Sequence, residues 1–398
     1  MYRAVVSAAN HPDPYNPYLG LFNFRSIRAL TDTGVDATVV APRPFAPPIG
    51  PYASYREIPE YHAFDSHAVR YPRFAYLLPQ RLFRYTLSSA SVARRLPAYL
   101  EKHVEPPDIC HAGHIHYDGY ALLPYCRRHD IPLTVMGRGK LLNDYQELPR
   151  RGRRKIRETL TYASGVYCVS QSLADIAADL VDPAKVSVLP NGANPERYPV
   201  ACTSAIKREL GIPGDTAVVL FCGGYTERKG IHEIVAALDH IPHEDVKLVF
   251  VGHYGDLRPN LLQALTRSEH TGYEVLWKVP PLALRRWLTV ADILIVPSHA
   301  EGRPNTVYEA MASETAVVGT DVSGIPEQVR AGETGLLIPP KDPTALADAL
   351  ADLLATPKRR AEMGLKGRER LVEKGWTWDA HGERLASHHE TIVEQTGR

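Results

Sequence analysis

The sequence predicts two parallel α/β domains, each a doubly wound sheet with helices on both faces. Short apolar runs bounded by turn residues alternate with amphipathic helical stretches along both halves of the chain. Between the halves, residues 189–205 are rich in Pro, Asn and Ala and follow neither period, which indicates a linker. We therefore predict domains at 1–198 and 199–375, and a C-terminal helix in 376–398 that crosses back to the first domain.

The buried strands are predicted from short runs rich in β-branched residues. In the first half these are YRAVVSAA, DATVVAP, PDIC, PLTVM and GVYCVS, and in the second AVVLFCGG, VKLVFVG, ADILIVPS, TAVVGT and GLLIPP. The last segment, WTWDAHGERLASHHETIVEQ, has Trp376, Leu385 and Ile392 at helical spacing. Doubly wound sheets bind ligands at the carboxyl ends of their strands, so two facing domains would form a binding cleft.

Composition and charge exclude several classes of protein. The 398 residues are 44% hydrophobic with a formal net charge of +1, so neither a disordered chain nor a nucleic-acid-binding protein is expected. The five cysteines include no CxxC pair, which argues against a disulfide framework and a structural zinc site and favours a reducing cytoplasm. No apolar run reaches the length expected of a signal peptide or a membrane span.

The segment HAEGRPNTVYEAMA follows the predicted strand ADILIVPS and leads into a predicted helix. Glu301 precedes that helix, Pro304 suits its first turn, and Glu309 lies about five residues further on, roughly 7 Å along the axis. Amides near Asn305 and Thr306 would point outward between the two carboxylates. This pattern suits a ligand with a central phosphate and sugars at both ends, such as a nucleotide sugar.

The same segment resembles the E-x7-E motif of retaining glycosyltransferases of family GT4, and the similarity covers most of the chain. The resemblance implies the GT-B fold, two Rossmann-like domains facing across a cleft. It also implies that Glu309 binds the ribose hydroxyls and that Glu301 lies beside the transferred sugar. The backbone expected to face sugar and phosphate comprises Arg303, Pro304, Asn305 and Thr306.

The segment FCGGYTERKG follows another predicted strand and resembles the family's diphosphate loop. Gly223 and Gly224 would let the backbone approach the ligand, and Lys229 would neutralise charge on the departing diphosphate. The family usually has an arginine where Gly224 stands, so we expect Arg228 to supply that charge. In the first half, Gly20 in HPDPYNPYLG would let amides approach the diphosphate from the opposite side.

The segment PDICHAGHIHYDGY carries His111, His114 and His116 after a strand. A zinc site is conceivable, but no cysteine or carboxylate completes a familiar ligand set. Family members often have a histidine facing the donor sugar at the position of Gly113 here, so His114 or His111 must substitute for it, or the role is absent. Each histidine could instead be purely structural.

Other segments bear on the acceptor. In VMGRGKLLND, Leu141 stands where the family often has aspartate, leaving Arg138 and Lys140 as candidate anion or acceptor contacts. Two basic stretches, 70–102 and 150–157, are either solvated helix faces or a surface for an anionic membrane or a lipid pyrophosphate acceptor. The aromatic residues interleaved with the first stretch are Phe74, Tyr76, Phe83 and Tyr85.

The predicted activity is transfer of a hexosyl unit from a nucleotide-diphosphate sugar to a glycan or lipid-linked acceptor, with retention of configuration. The family mechanism implies no metal: the acceptor attacks on the face from which the diphosphate departs, and a phosphate oxygen takes its proton. Two alternatives stay open, a nucleotide-sugar 2-epimerase of the same architecture and a non-catalytic nucleotide-sugar binder. We expect a cytoplasmic enzyme, peripheral on the inner face of the membrane if the basic stretches bind lipid.

Overall fold

The computed structural model describes residues 2–45, 53–75, 84–241, 244–270 and 272–397. The chain forms two compact units: unit 1 is Met1–Asn191 with Trp378–Arg398, and unit 2 is Gly192–Thr377. Both are built on parallel sheets with helices between the strands, which confirms the predicted α/β class. Among the described residues, no helix combines the length and apolar character needed to cross a bilayer.

The strands of both units are short, and most are buried. Unit 1 contains β1 (Arg3–Ser7), β2 (Asp36–Val40), β3 (Arg43–Pro44), β4 (Tyr61–Ala63), β5 (Ala68–Arg70), β6 (Arg73–Phe74), β7 (Ile109–Ala112), β8 (Leu133–Gly137), β9 (Gly165–Cys168) and β10 (Val186–Val188). Unit 2 contains β11 (Ala217–Cys222), β12 (Val246–Gly252), β13 (Tyr273–Trp277), β14 (Ile293–Val296), β15 (Ala316–Thr320) and β16 (Gly335–Ile338).

The α-helices connect successive strands. Unit 1 has α1 (Leu21–Asp32), α2 (Leu87–His103), α3 (Tyr120–His129), α4 (Lys140–Asn143), α5 (Arg150–Tyr162) and α6 (Gln171–Ala178). Unit 2 has α7 (Thr203–Glu209), α8 (Ile231–Ala237), α9 (Arg258–Arg267), α10 (Pro281–Val290), α11 (Asn305–Ala312), α12 (Ile325–Gln328), α13 (Pro343–Ala355) and α14 (Pro357–Glu373). The chain then returns to unit 1 as α15 (Trp378–Thr396).

The sheet of unit 1 has the order β10-β9-β8-β7-β1-β2-β5-β4, and only the β4–β5 pair in it is antiparallel. The sheet of unit 2 has the order β13-β12-β11-β14-β15-β16 and is parallel throughout. Each predicted strand forms, but β3, β4, β5, β6, β10 and β13 are additional, and β3 and β6 pair with each other in a separate two-stranded sheet. Sequence patterns missed them because they are short, lie at or near sheet edges and are only partly buried.

The packing of the unit 2 core explains why its central strands are continuous apolar runs in the sequence. Successive residues of β11 contribute to opposite faces: Val219 and Phe221 pack into one cluster, whereas Val218 and Leu220 pack into the other. Helices cover both faces, so every position on the strand is buried, and a polar side chain there needs a hydrogen-bond partner. Unit 1 follows the same rule, with β7, β8 and β9 buried at every position.

Local chemistry fixes several helix boundaries. The Asp342 carboxylate accepts a hydrogen bond from the Ala345 amide at 2.9 Å, and Pro343 occupies the first turn of α13. The last helix begins at Trp378, so Trp376, which the spacing assigned to it, lies outside it and packs in unit 2 instead. Gly382 of α15 packs against the backbone of α1, where an added Cβ would overlap the Ala29 carbonyl.

Candidate active site

The loops that carry the predicted donor motifs leave neighbouring strands of unit 2. From β11 the chain continues to β12 and β13 on one side of the sheet, and later to β14, β15 and β16 on the other. The loops after β11 and β14 therefore diverge from a topological switch point, where open α/β sheets bind ligands. The His299 amide donates to the Arg228 carbonyl at 2.9 Å and ties the two loops together.

Glu301 is the buried charge at this point, with only 5% of its surface exposed. Lys229 Nζ donates to its Oε1, Ser298 Oγ donates to the same oxygen at 2.8 Å, and Arg228 Nη2 lies 3.8 Å from Oε2. Burial acts to raise the pKa of Glu301, but the two cations and the hydrogen bonds outweigh it and lower the pKa. The carboxylate is therefore ionised at neutral pH.

The cations themselves face outward. The side chains of Lys229 and Arg228 are 17% and 36% exposed, so both keep access to solvent while pairing with Glu301. They lie on a 3-10 turn, Glu227–Lys229, that ends at Gly230 with φ 74°. An added Cβ at Gly230 would overlap the Pro297 carbonyl, so only glycine lets this loop cross the end of β14.

The two predicted loop glycines differ in their surroundings. At Gly224, a Cβ would overlap the ring of Tyr254, so this ring occupies the space that a side chain at that position would take. At Gly223, the nearest atom is in the Phe221 ring, 3.2 Å from the Cβ position. Gly223 is thus partly exposed, Gly224 is buried beside the Tyr254 ring, and the charge that the family places at position 224 is absent there.

Helix α11 begins at Asn305, with Pro304 directly before it rather than inside its first turn. Glu309 lies on α11 as predicted and is 3% exposed. The Arg303 guanidinium packs 4.5 Å from the centroid of the Trp376 ring, so this side chain supports the loop from inside unit 2 and only its backbone suits the predicted role. Thr306 lies in the first turn of α11, whose amides point along the helix axis.

In unit 1 the corresponding switch point lies between β1 and β7. Gly20 precedes α1 with φ 63°, and an added Cβ would overlap the Asn10 carbonyl, so glycine is required where the loop after β1 enters the helix. The residue thus lies at the end of the loop that was predicted to approach the diphosphate.

The three histidines of the segment PDICHAGHIHYDGY contact three different partners. His111 is buried in the core, where Nδ1 lies 2.8 Å from Thr134 Oγ1, and it cannot face a ligand. His116 is also buried, 2.8 Å from Ser89 Oγ. His114 is 22% exposed, with Nδ1 3.3 Å from an Asp118 oxygen, and is the one of the three that remains near the strand ends. The burial of His111 thus argues against it as the substitute sugar contact and leaves His114 as the candidate.

The two candidate acceptor contacts, Arg138 and Lys140, differ in how firmly unit 1 holds them. Arg138 donates to the Gly113 carbonyl at 3.0 Å and to Asn191 at 3.1 Å, and burial lowers its pKa to about 9. Lys140 is exposed and pairs with Asp144 on the next turn. Arg138 thus holds the loop after β7, whereas Lys140 stays open to solvent.

Motif reasoning missed residues that position the site. Ser298 donates to Glu301, and Glu233 accepts from His299 at 3.0 Å beside the loop after β11. In unit 1, the buried Asp118 accepts from Ser7 Oγ at 3.2 Å and from the Ala9 amide at 2.7 Å. These residues lie just after strands or in first helical turns, so position at a strand end was the signal available, but the partners of Glu233 and Asp118 are distant in sequence.

Two family patterns match the chain. The family described as Glycosyl transferases group 1 matches residues 203–370, and Glycosyltransferase Family 4 matches residues 22–197. Together they cover most of both units.

Curated relatives agree with these matches. A putative teichuronic acid biosynthesis glycosyltransferase TuaC of Bacillus subtilis is 29% identical over 85% of this chain and 86% of its own length. A D-inositol 3-phosphate glycosyltransferase of Xylanimonas cellulosilytica is 32% identical over 66% of this chain and 68% of its own. An alpha-maltose-1-phosphate synthase of Mycolicibacterium smegmatis is 33% identical over 56% of this chain and 62% of its own.

Solved structures share the fold at low identity. Sucrose-phosphate synthase from Thermosynechococcus elongatus superimposes with a TM-score of 0.81 at 21% identity, covering 99% of both chains. Anabaena HepE, solved in complex with UDP-glucose, gives 0.74 at 18% identity, covering 98% of this chain and 100% of its own. The predicted GT-B fold and family are thereby confirmed, and the chain belongs to glycosyltransferase family 4, group 1, as a glycosyltransferase.

Proposed function

We propose that the protein is a retaining glycosyltransferase that moves a hexosyl unit from a nucleotide-diphosphate sugar to an acceptor hydroxyl. The observation that carries the proposal is the pairing of the solvent-accessible Lys229 and Arg228 with the buried Glu301 at the switch point of unit 2. The loop containing Glu301 leads directly into α11, which carries Glu309. One sheet edge thus offers cations for a diphosphate and carboxylates for sugar hydroxyls.

Each of these groups has its own role in the reaction. The bond between the anomeric carbon and the diphosphate oxygen breaks, and Lys229 and Arg228 stabilise the charge that develops on that oxygen. The acceptor oxygen bonds to the anomeric carbon on the same face, and its proton passes to a phosphate oxygen of the leaving diphosphate. Glu309 holds the ribose, and the ionised Glu301 fixes Lys229 while accepting hydrogen bonds from the transferred sugar.

The test begins with the donor. Nucleotide sugars are screened by thermal shift, since a ligand present at 100 times its Kd stabilises the folded state by about 2.7 kcal/mol. Acceptor products are then identified by mass spectrometry, and NMR assigns the anomeric configuration of the first product formed. We expect nucleotide diphosphate release that depends on acceptor, with the donor configuration retained; an inverted product would refute the mechanism.

The same assay separates the rival activities. An epimerase would convert the nucleotide sugar without an added acceptor, and a binding protein would never release nucleotide. Acceptor-dependent release matches neither rival.

We propose that catalysis needs no divalent ion, because side-chain cations and helix N-termini take its place on the diphosphate. Activity is expected to survive EDTA. Complete loss on chelation, with rescue by Mn²⁺ or Mg²⁺, would contradict this.

We also propose a cytoplasmic enzyme of glycan, glycolipid or polysaccharide synthesis that meets a glycan or lipid-linked acceptor, in part at the inner face of the membrane. All five cysteines are unpaired, which supports a reducing compartment, and the name of the Bacillus subtilis relative supports a role in polysaccharide synthesis. Activity with a lipid extract is compared with activity on soluble oligosaccharides; products from neither would refute this acceptor class.

A further inference from the structure

The two faces of the unit 1 sheet carry helices of opposite charge. Helices α2, α3 and α5 pack side by side, and they contain eleven Lys and Arg against two acids, Glu101 and Glu158. The other face carries α1 and α15, which pack together and contain three Arg against five acids. Right-handed crossovers in opposite directions from β1 place these two groups on opposite faces. We name α2, α3 and α5 the basic layer.

The two acids of the basic layer do little to neutralise it. Glu101 pairs with Arg128, and Glu158 pairs with Arg127 at 2.7 Å, so each carboxylate is matched by an arginine within the layer. The remaining cations include a solvent-exposed group on α5, listed here in chain order: Arg150, Arg151, Arg154 and Arg157. Three of these follow the i, i+4, i+7 spacing of a single helix face.

One end of the layer forms a basic groove. Arg153, Arg154 and Arg157 line it together with Tyr145 and Gln146, and its cavity volume is about 510 Å³. Leu180 and one acid, Asp179, complete the lining. Arginines grouped in this way bind the oxygens of a phosphate group through several donors at once.

The layer also borders exposed apolar side chains. Leu87, the first residue of α2, is 55% exposed and shares a helix face with Arg94 seven residues later. Phe45 is 52% exposed, and the Arg95 guanidinium lies 4.8 Å from the centroid of its ring. Cations beside exposed apolar groups match an interface where headgroup charge and acyl chains occur together.

These positions revise the sequence expectation about the first basic stretch. Phe74 and Tyr85 are buried and cannot reach a surface partner, and the partly buried Arg73 donates to the backbone carbonyls of Tyr55 and Ile58. Tyr76 and Phe83 lie outside the described residues. The basic layer thus keeps the second stretch and the α2 part of the first, and it adds Arg127 and Arg128 of α3.

We propose that the basic layer is the surface by which this protein binds an anionic lipid bilayer. The inference deepens the proposed function by assigning its membrane contact to one face of unit 1. Each cation near such a surface contributes about a fivefold change in partitioning, so the α5 group alone is enough for reversible attachment. A soluble polyanion would gain nothing from Phe45 and Leu87, whereas a bilayer would bury both.

The experiment is liposome flotation of the full chain with phosphatidylglycerol vesicles and with phosphatidylcholine vesicles, at low and high salt. We expect binding to the anionic vesicles alone, and its loss at 1 M salt, where the screening length falls to about 3 Å. Changing Arg150, Arg151, Arg154 and Arg157 to Ser should weaken binding by at least about tenfold. These side chains are exposed, so the fold should persist, which circular dichroism checks.

The matched control removes four exposed lysines from unit 2: Lys341, Lys358, Lys366 and Lys374, each changed to Ser. It has the same net charge as the α5 variant and should bind like the wild type. Equal loss in both variants, or a wild-type protein that stays soluble with anionic vesicles, would overturn the proposal.

A second variant, Phe45→Ser with Leu87→Ser, separates a bilayer from a soluble polyanion. It should weaken vesicle binding several-fold and leave binding to polyglutamate unchanged; unchanged vesicle binding would refute insertion of these residues. Donor-dependent nucleotide release without vesicles tests the enzyme separately, so failure of membrane binding and failure of the proposed activity give different results.

Discussion

The two units use buried charge in different ways. In unit 1, the buried charges hold backbone: Arg43, which is 1% exposed, donates to the carbonyls of Ala9 and His11 and pairs with Asp13 at 3.1 Å. In unit 2, the buried Glu301 pairs with Lys229 and Arg228, which stay open to solvent. Buried charge thus shapes the loop after β1 in unit 1, whereas in unit 2 it presents cations at the end of β14.

This difference predicts how the loss of a charged side chain should affect each unit. Removing a charge from unit 1 should reduce stability, because its partner is left buried and unpaired. Removing Lys229 from the unit 2 site should mainly reduce turnover or donor binding, because Arg228 and Ser298 still contact the buried Glu301. Mutations of buried charges in unit 1 should therefore mainly lower the free energy of unfolding, whereas mutations in the unit 2 site should mainly lower turnover or donor affinity.

Acid should unfold unit 1 first. Burial lowers the pKa of His381 and His389 to about 3 and the pKa of His111 well below its ordinary value. The unfolded chain binds protons at these sites below about pH 6.5, so stability is full above that pH and falls as pH decreases toward about 3. Urea unfolding at pH 7.5 and pH 5, with limited proteolysis to identify the opened unit, measures this.

The matched variant for the acid prediction is His389→Gln, which keeps a polar group near Tyr2 and Thr134. Its stability should depend less steeply on pH than that of the wild type. First cleavage in unit 2 at pH 5 would contradict the assignment.

Asp13→Ala should lower the free energy of unfolding by about 3 to 5 kcal/mol, because it leaves the Arg43 guanidinium buried without its counterion. Glu105→Ala is the control in the same unit, since its ion pair with Arg3 is exposed and should contribute less than about 1 kcal/mol. Urea denaturation followed by circular dichroism measures both. Similar losses in the two variants would remove the distinction between buried and exposed pairs.

Lys229→Ala should reduce turnover by roughly 10² to 10³, the loss typical of one preorganised group that stabilises developing charge. Its unfolding free energy should change less than that of Asp13→Ala. Lys247→Ala is the control in unit 2: this lysine pairs with Glu274 near the start of β12, away from the carboxyl ends of the strands. Nucleotide release at saturating donor measures the effect, and wild-type turnover in Lys229→Ala would refute the role.

Glu309→Ala should chiefly weaken nucleotide binding, by about 1 to 3 kcal/mol, the range for a hydrogen bond to a charged group. Calorimetric titration with the nucleoside diphosphate measures the change. Glu314→Ala, just beyond α11, is the control because its carboxylate pairs with Arg368 at 3.7 Å. Equal affinity in the Glu309 variant and the wild type would place the ribose elsewhere.

Sequence patterns placed the candidate site residues of unit 2 on their strands and helices better than those of unit 1. The motifs of unit 2 are contiguous: Glu301 and Glu309 are eight residues apart, and a strand followed by a helix start determines where each lies. In unit 1, three histidines within six residues point to three separate partners. Spacing could not tell a core histidine from a surface one, because the loop after β7 is irregular.

The sequence by itself determined the α/β class, the central strands and the positions of the two candidate donor loops, since each follows from local periodicity and short-range motifs. Only the tertiary structure decided that Tyr254 fills the space beside Gly224, that Ser298 holds Glu301, and that Arg43 meets Asp13. The tertiary structure also places α2, α3 and α5, with their basic residues, on one face of the unit 1 sheet. Most of these contacts join residues far apart in the chain, so they depend on how strands are ordered in each sheet, which local patterns do not encode.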